Sequence, residues 1–461
     1  MVDCRSRQEF PSVRTGQPTF HPATRGFLSG KGEHPTTSMP PMLSEATTLP
    51  SLRIQLARAR AHTDALFRMI RPDALYERPV PERHRIVFYL GHLETFDWNQ
   101  ICLNESARTS FHPEFDRLFA FGIDPAPGQI SPDQPSDWPA VEEVRQYNLR
   151  VRRLVDSMSN DVPEQMLYVA LEHRLMHAET LAYLFHHMAQ RNKVPVPSDR
   201  PLFGPPPMHA MIEIAAGRAT LGQSRDIQYG RDTDALGPSR SFGWDNEFDA
   251  HEVRVPSFAI SKYKVTNGQY LEFVLAGAEP PRLWTWHDGQ WFWRTMSGEV
   301  PLPLDWPVYV TWREAQAYAE WAGQSLPTEP QFHRAAYGTP HGEERPYPWG
   351  NDPPDHREGN FDFRRWDPVS VTTTALGDSA FGVSQLVGNG WEWTSTAFHP
   401  FHDFQPFPFY PGYSAPFFDG DHYVLKGASS RTASCFLRRS FRNWFRSSYP
   451  YVYAGFRCVE N

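Results

Sequence analysis

A helical bundle followed by an α+β domain poor in regular secondary structure is the fold class the sequence predicts, and three observations predict it. Between residue 51 and about residue 191, four runs repeat apolar residues at three- and four-residue steps. A segment holding six prolines, residues 194–207 (VPVPSDRPLFGPPP), ends those runs and reads as a stiff linker. Beyond it, short strand-like stretches such as MIEIAAG and HEVRVPSFAISKYKV alternate with turns rich in aromatic residues.

Residues 1 to about 45 are rich in Pro, Ser, Thr and Gly and bury too little to offset the entropy of ordering them. A disordered leader without function is expected there, with Met39 or Met42 a candidate start. The bundle is placed at residues 46–193. Its first helix carries Leu52, Leu56, Ala59, Leu66, Met69 and Ile70 on one stripe; the others span about 85–107, 140–158 and 164–190. The connection over about 110–138 carries Pro113, Pro125, Pro127, Pro132 and Pro135, which suits an ordered crossover that lines a site. The linker is placed at 194–208 and the second domain at 209–461, where only 312–322 and 329–337 read clearly as helices.

The 461 residues suffice for two or three domains, and 44 prolines beside 15 Trp, 32 Phe and 18 Tyr suit loops packed around rings. Forty-five Lys and Arg against 53 Asp and Glu leave a formal charge of −8, which offers no field for nucleic acid. No apolar run reaches membrane-spanning length, so no membrane partner is expected. Four widely spaced cysteines, with no CxxC pair, fit a reducing cytosol better than a disulfide framework.

The sharpest local word is LEHRLMHAE at 171–179, which sets His173 and His177 four residues apart on one helical face. That spacing suits metal chelation, and it equally suits two surface histidines. His92, in YLGHLE within the second helix, is the candidate third ligand. Such an all-nitrogen set accepts Fe(II), Zn, Cu or Ni without choosing among them. Glu179 falls on another side of the helix and need not be a ligand, while His186 and His187 are expected to face solvent near the helix C-terminus.

The second half holds a series of words: FGWDNE at 242–247, YKVTN at 263–267, LPTE at 326–329, GNGWEWT at 388–394, and Arg442-Asn443 followed by GFR at 455–457. Together they resemble the formylglycine-generating-enzyme-like (sulfatase-modifying-factor) domain over nearly all of 209–461, a C-type-lectin-like fold. The first half resembles a DinB-type four-helix bundle. The pairing is similar to the ergothioneine-pathway sulfoxide synthases and their relatives, in which a second-helix histidine and an HxxxHxE motif bind non-haem iron(II). The matching positions are His92, His173, His177 and Glu179. Cys435 and Cys458 stand 23 residues apart, unlike the close cysteine pair of the formylglycine-generating enzymes.

The resemblance implies Fe(II) and O2 acting on hercynine (N-trimethylhistidine), whose imidazole ring gains a chalcogen. A quaternary ammonium favours ring faces, so Asn443 is a candidate polar contact and Trp444 and Phe445 candidate walls, unless both rings are ordinary core. Two departures follow. The family's tyrosine pair, three residues apart after the WEWT word, is expected beside the iron, whereas counting along this chain reaches Phe398 and Phe401. The proton donor would then come from Tyr410, Tyr413 or water. The arginines that hold the carboxylates of γ-glutamylcysteine are missing from FGIDPAPG at 121–128, where Asp124 stands. A neutral selenosugar such as 1-seleno-glucose, the donor of the selenoneine synthases in the same superfamily, suits that loss, with Met176 as a soft contact. The alternatives are a thiol donor (γ-glutamylcysteine or cysteine) and a non-catalytic binding protein on the same scaffold.

Overall fold

The computed structural model describes residues 51–105, 108–120, 132–158, 162–195, 204–225 and 242–461. The predicted leader (1–45), the FGIDPAPG segment with Asp124, and residues 196–203 of the proline-rich linker lie outside the described residues. Residues from Pro50 onward form one compact unit.

The bundle consists of α1 (Leu52–Phe67), α2 (Ile86–Asp97), a π-helical continuation (Trp98–Glu105), a short α3 (Pro113–Leu118), α4 (Val141–Met158) and α5 (Glu164–His187). α4 is amphipathic, with Val144, Tyr147, Val151 and Val155 buried. α2 and α5 are buried on nearly every side, because α1 and α4 cover them from the bundle and the second domain closes over the rest. The described first part of the crossover, residues 110–120, is built around Asp116, which accepts from Trp98 Nε1, the Ser110 hydroxyl and Tyr147 Oη. Gly91 on α2 allows the approach, since a Cβ there would sit 2.5 Å from the Phe119 ring.

Among the described residues the second domain contains four small sheets. Strands β1 (Met211–Ile214), β4 (Phe258–Ser261) and β12 (Val459–Glu460) form one; β2 (Gly217–Leu221) and β3 (His251–Val255) a second; β5 (Trp284–His287), β6 (Gln290–Arg294) and β7 (Glu299–Pro301) a third. The fourth has the order β10 (Asn443–Arg446), β9 (His422–Ala428), β8 (Gly390–Ala397), β11 (Ala454–Gly455). Helices α7 (Trp312–Trp321) and α8 (Glu329–Tyr337) lie where the sequence predicts them. A third helix, α6 (Asn267–Leu275), goes beyond that reading; its signal is the capping box of Thr266 and Gln269.

Most of the family-like words are structural. Lys264 of YKVTN, Glu392 of WEWT and Arg457 of GFR meet in a fully buried ion cluster, with Arg457 Nε 2.6 Å from Glu392 Oε2. Thr328 of LPTE caps α8, and the next residue, Glu329, receives Arg442 Nε at 3.1 Å. Asn389 of GNG adopts φ 62° and ties the turn before β8 to Val369 and Gln385. Cys102, Cys435 and Cys458 are unpaired. Among the described residues no helix is long and apolar enough to cross a membrane.

Candidate active site

The site begins with the helical periods of α2 and α5. His173 and His177 leave α5 one turn apart toward α2, and His92 on α2 faces them; all three are buried, with one nitrogen from each within 4.8 Å of the others. The ring centroids lie 4.5 to 5.2 Å apart. His92 Nδ1 donates to the Phe119 carbonyl at 2.7 Å, which leaves Nε2 bare toward the cluster. Phe96 stacks on His173 at 3.4 Å and holds that ring in plane.

Burial pushes His92 down to about 4 and holds His173 and His177 well below the usual imidazole range, so all three rings are neutral and their lone pairs available. Nε2 of His92, Nδ1 of His177 and both ring nitrogens of His173 are buried without a hydrogen-bond partner. Orphaned buried nitrogens are costly, and a metal ion shared among them removes that cost; the donor set fits a divalent transition metal with positions left open.

Arg174, next to His173, fixes the spacing of the two helices. It donates to the Leu93 carbonyl at 3.0 Å and pairs with Asp97 and Glu94 at 2.8 and 2.9 Å. Burial would raise Glu94, yet Arg174, Arg152 and Arg60 together pull it down to about 2.

The neighbouring faces of α5 dock the second domain. Glu172 receives both terminal nitrogens of Arg438, at 2.7 and 2.9 Å, and Trp244 Nε1 at 2.8 Å; Arg438 also forks onto Glu247. Glu179 accepts from Trp391 Nε1 and Thr432 Oγ1, each at 2.8 Å, and from the Ser429 hydroxyl. Its carboxylate is thus committed to the interface and stands outside the metal-ligand group.

Above the histidines lies a cavity of about 200 Å³. His173, His177, Met176, Asn443, Trp444 and Phe445 all line it. Phe398 does not: it is fully buried behind the wall, stacked on Trp444 at 4.3 Å. A tyrosine pair with three-residue spacing comes instead from the loop after β8. Tyr410 lies with its ring 6.4 Å from that of His173, and Tyr413 stacks on Trp244 and donates to Met176 Sδ at 3.4 Å. The position reached by counting from WEWT, Phe398, thus lies outside the cavity lining, and Tyr410 and Tyr413 stand in it. Burial pushes Tyr410 up to about 12, so it keeps its proton.

His186 and His187 also depart from expectation, because the sheet of β5 to β7 covers the end of α5. His186 is 2% exposed, held between Tyr453 Oη and the Arg294 carbonyl, and His187 Nδ1 accepts from Arg294 at 2.8 Å.

Residues 201–461 match the sulfatase-modifying factor enzyme 1-like domain, and residues 55–191 match the DinB superfamily. Hercynine oxygenase of Mycolicibacterium smegmatis is 32% identical over 445 residues, covering 88% of this chain and 98% of that protein. Its counterpart in Mycobacterium tuberculosis is 38% identical over 234 residues, 46% of this chain and 55% of that one. Ergothioneine biosynthesis protein 1 of Schizosaccharomyces pombe is 30% identical over 439 residues, and this chain spans 54% of its length. With a DinB-type bundle and a sulfatase-modifying-factor domain aligned end to end with a hercynine oxygenase, the chain belongs to the hercynine oxygenase family.

Proposed function

We propose that this protein is an iron- and O2-dependent enzyme that joins a chalcogen to the imidazole ring of hercynine. The observation that carries the reading is three neutral, orphaned imidazoles, two of which, His173 and His177, line an aromatic cavity. His92, His173 and His177 would hold Fe(II), which supplies O2 activation at its open positions. The chain's own residues do the rest. Trp444, on the edge strand β10, is braced by Phe398 and offers a ring face to the trimethylammonium group, a cation without N–H donors. Asn443 contributes a polar contact and Phe445 a second wall. Tyr410, whose ring lies 6.4 Å from that of His173, holds a proton at its hydroxyl and would serve as the proton donor.

A desolvated cation–π contact is worth about 2 kcal/mol. Trp444→Ala should therefore raise KM for hercynine roughly 10- to 30-fold, while Trp444→Phe keeps most of the affinity; steady-state kinetics at saturating donor measures both.

Two donor readings remain. A thiol, γ-glutamylcysteine or cysteine, is supported by the relatives' names and by the tyrosine pair at 410 and 413. A selenosugar is favoured by the lack of arginine in FGIDPAPG. Purified Fe(II) enzyme given hercynine with γ-glutamylcysteine, cysteine or 1-seleno-glucose separates them by mass of the product. Preference for either thiol removes the selenosugar reading, and preference for the selenosugar removes the thiol reading. Oxygen uptake at background with all three, despite bound iron, indicates a binding protein.

A further inference from the structure

His422 opens β9 and lines the same cavity as His173 and His177, yet it belongs to the opposite domain and is no part of the metal cluster. It is 4% exposed. Its Nδ1 lies 2.9 Å from Asp419 Oδ1; a carboxylate only accepts, so Nδ1 carries the proton and Nε2 keeps its lone pair. Among the described residues no protein group bonds Nε2. The Asp419 side chain is 40% exposed, so the pair leads from the cavity to solvent. An imidazole oriented by a carboxylate in the wall of a reaction space, with its far nitrogen unprotonated, is the arrangement of a general base.

The chemistry proposed above requires one. Replacing a ring hydrogen of hercynine by a chalcogen breaks a C–H bond after the new C–S or C–Se bond has formed. The electron pair of that C–H bond returns to the aromatic ring and the hydrogen leaves as a proton; the oxidising equivalents come from O2, which is reduced in the same turnover. Whichever donor is used, the proton needs an acceptor placed at the cavity wall. The other candidates there are committed: His173 and His177 to the metal, Glu179 to three hydrogen bonds, and Tyr410 and Tyr413 hold their own protons. We propose that His422 is the base that takes the imidazole-ring proton of hercynine at Nε2, with Asp419 as its positioning residue. The charged groups around it are Asp419 on its own turn, Asp421 beside it, and Arg446, its register partner on β10.

The inference rests on the proposed reaction, and its test separates the two. Wild-type iron enzyme is assayed with hercynine and each of the three donors, using hercynine with protium or deuterium on its imidazole carbons. Absence of product with all donors removes the reaction itself, and the inference with it. Given wild-type turnover, His422→Gln should lower kcat about 10²-fold at unchanged iron content. It should also raise the isotope effect on kcat from near unity to roughly 2 or more, because loss of the base makes C–H cleavage rate-limiting. A purely structural role would slow turnover without unmasking the isotope. Asp419→Asn, which keeps the imidazole and loses its orientation, should move both readouts the same way by less, and it serves if His422→Gln does not fold. Wild-type kcat, or a slow variant with an isotope effect still near unity, overturns the assignment.

Discussion

Replacing His173 or His177 by alanine should leave a folded protein that no longer retains iron. Losing a residue that merely orients a ligand already lowers metal affinity by about 10- to 100-fold, so removing one of three ligands should cost roughly 10²-fold or more and take turnover to background. Iron stoichiometry after desalting, read beside the melting temperature, checks this. The fold should survive, because removing an orphaned buried imidazole also removes its desolvation cost. Glu179→Gln is the contrast. Its carboxylate is spent on Trp391, Ser429 and Thr432, so iron should remain bound while docking of the domain weakens. Near-normal iron in the histidine variants would dismantle the centre, and iron loss in Glu179→Gln alone would return that residue to the ligand set.

The second large effect concerns stability. Arg438→Met should destabilise the protein by about 3–5 kcal/mol, since two buried carboxylates, Glu172 and Glu247, lose their shared cation. The loss has a pH signature. Burial already holds Glu172 up at about 7 against the pull of Arg438, and removing the guanidinium raises it further. A carboxyl whose folded pKa is raised contributes its full stability below the unfolded value, near 4.5, and loses it as pH rises through the folded value. The gap between variant and wild type should therefore widen from pH 5 to pH 8. Urea unfolding at those two values measures it, and a gap of constant size would contradict the assignment.

The parts legible in the sequence were those with a short period. The 3.6-residue repeat located four long helices to within a few residues, and His173 with His177 stood out because four residues return to the same face. His92 was readable only because YLGHLE lies inside an apolar helix. What escaped depends on distance in space. Nothing in the spacing tells that Glu172 and Glu179, two turns apart, find Arg438 and Ser429 in the other domain some 250 residues later. His186 looked like a solvated helix end because β5 to β7, which cover it, follow about a hundred residues on. Tyr410 and Tyr413 are among the candidates in the sequence, yet the pattern of the WEWT word points to Phe398, a ring that braces Trp444 from behind. His422 had no signal at all, since a lone histidine gains a role only when Asp419 and the cavity flank it.

Helix α5 carries its two stripes, imidazoles and carboxylates, about 130° apart around a single axis. Deleting one residue between His173 and His177 would spin everything downstream by about 100°, swinging His177 out of reach of His92 and Glu179 away from Ser429 in the same stroke. Chemistry and docking thus share one phase along a common shaft. Grafting a foreign bundle onto this lectin-like half would have to match both settings simultaneously, so the two halves can be exchanged only as a pair.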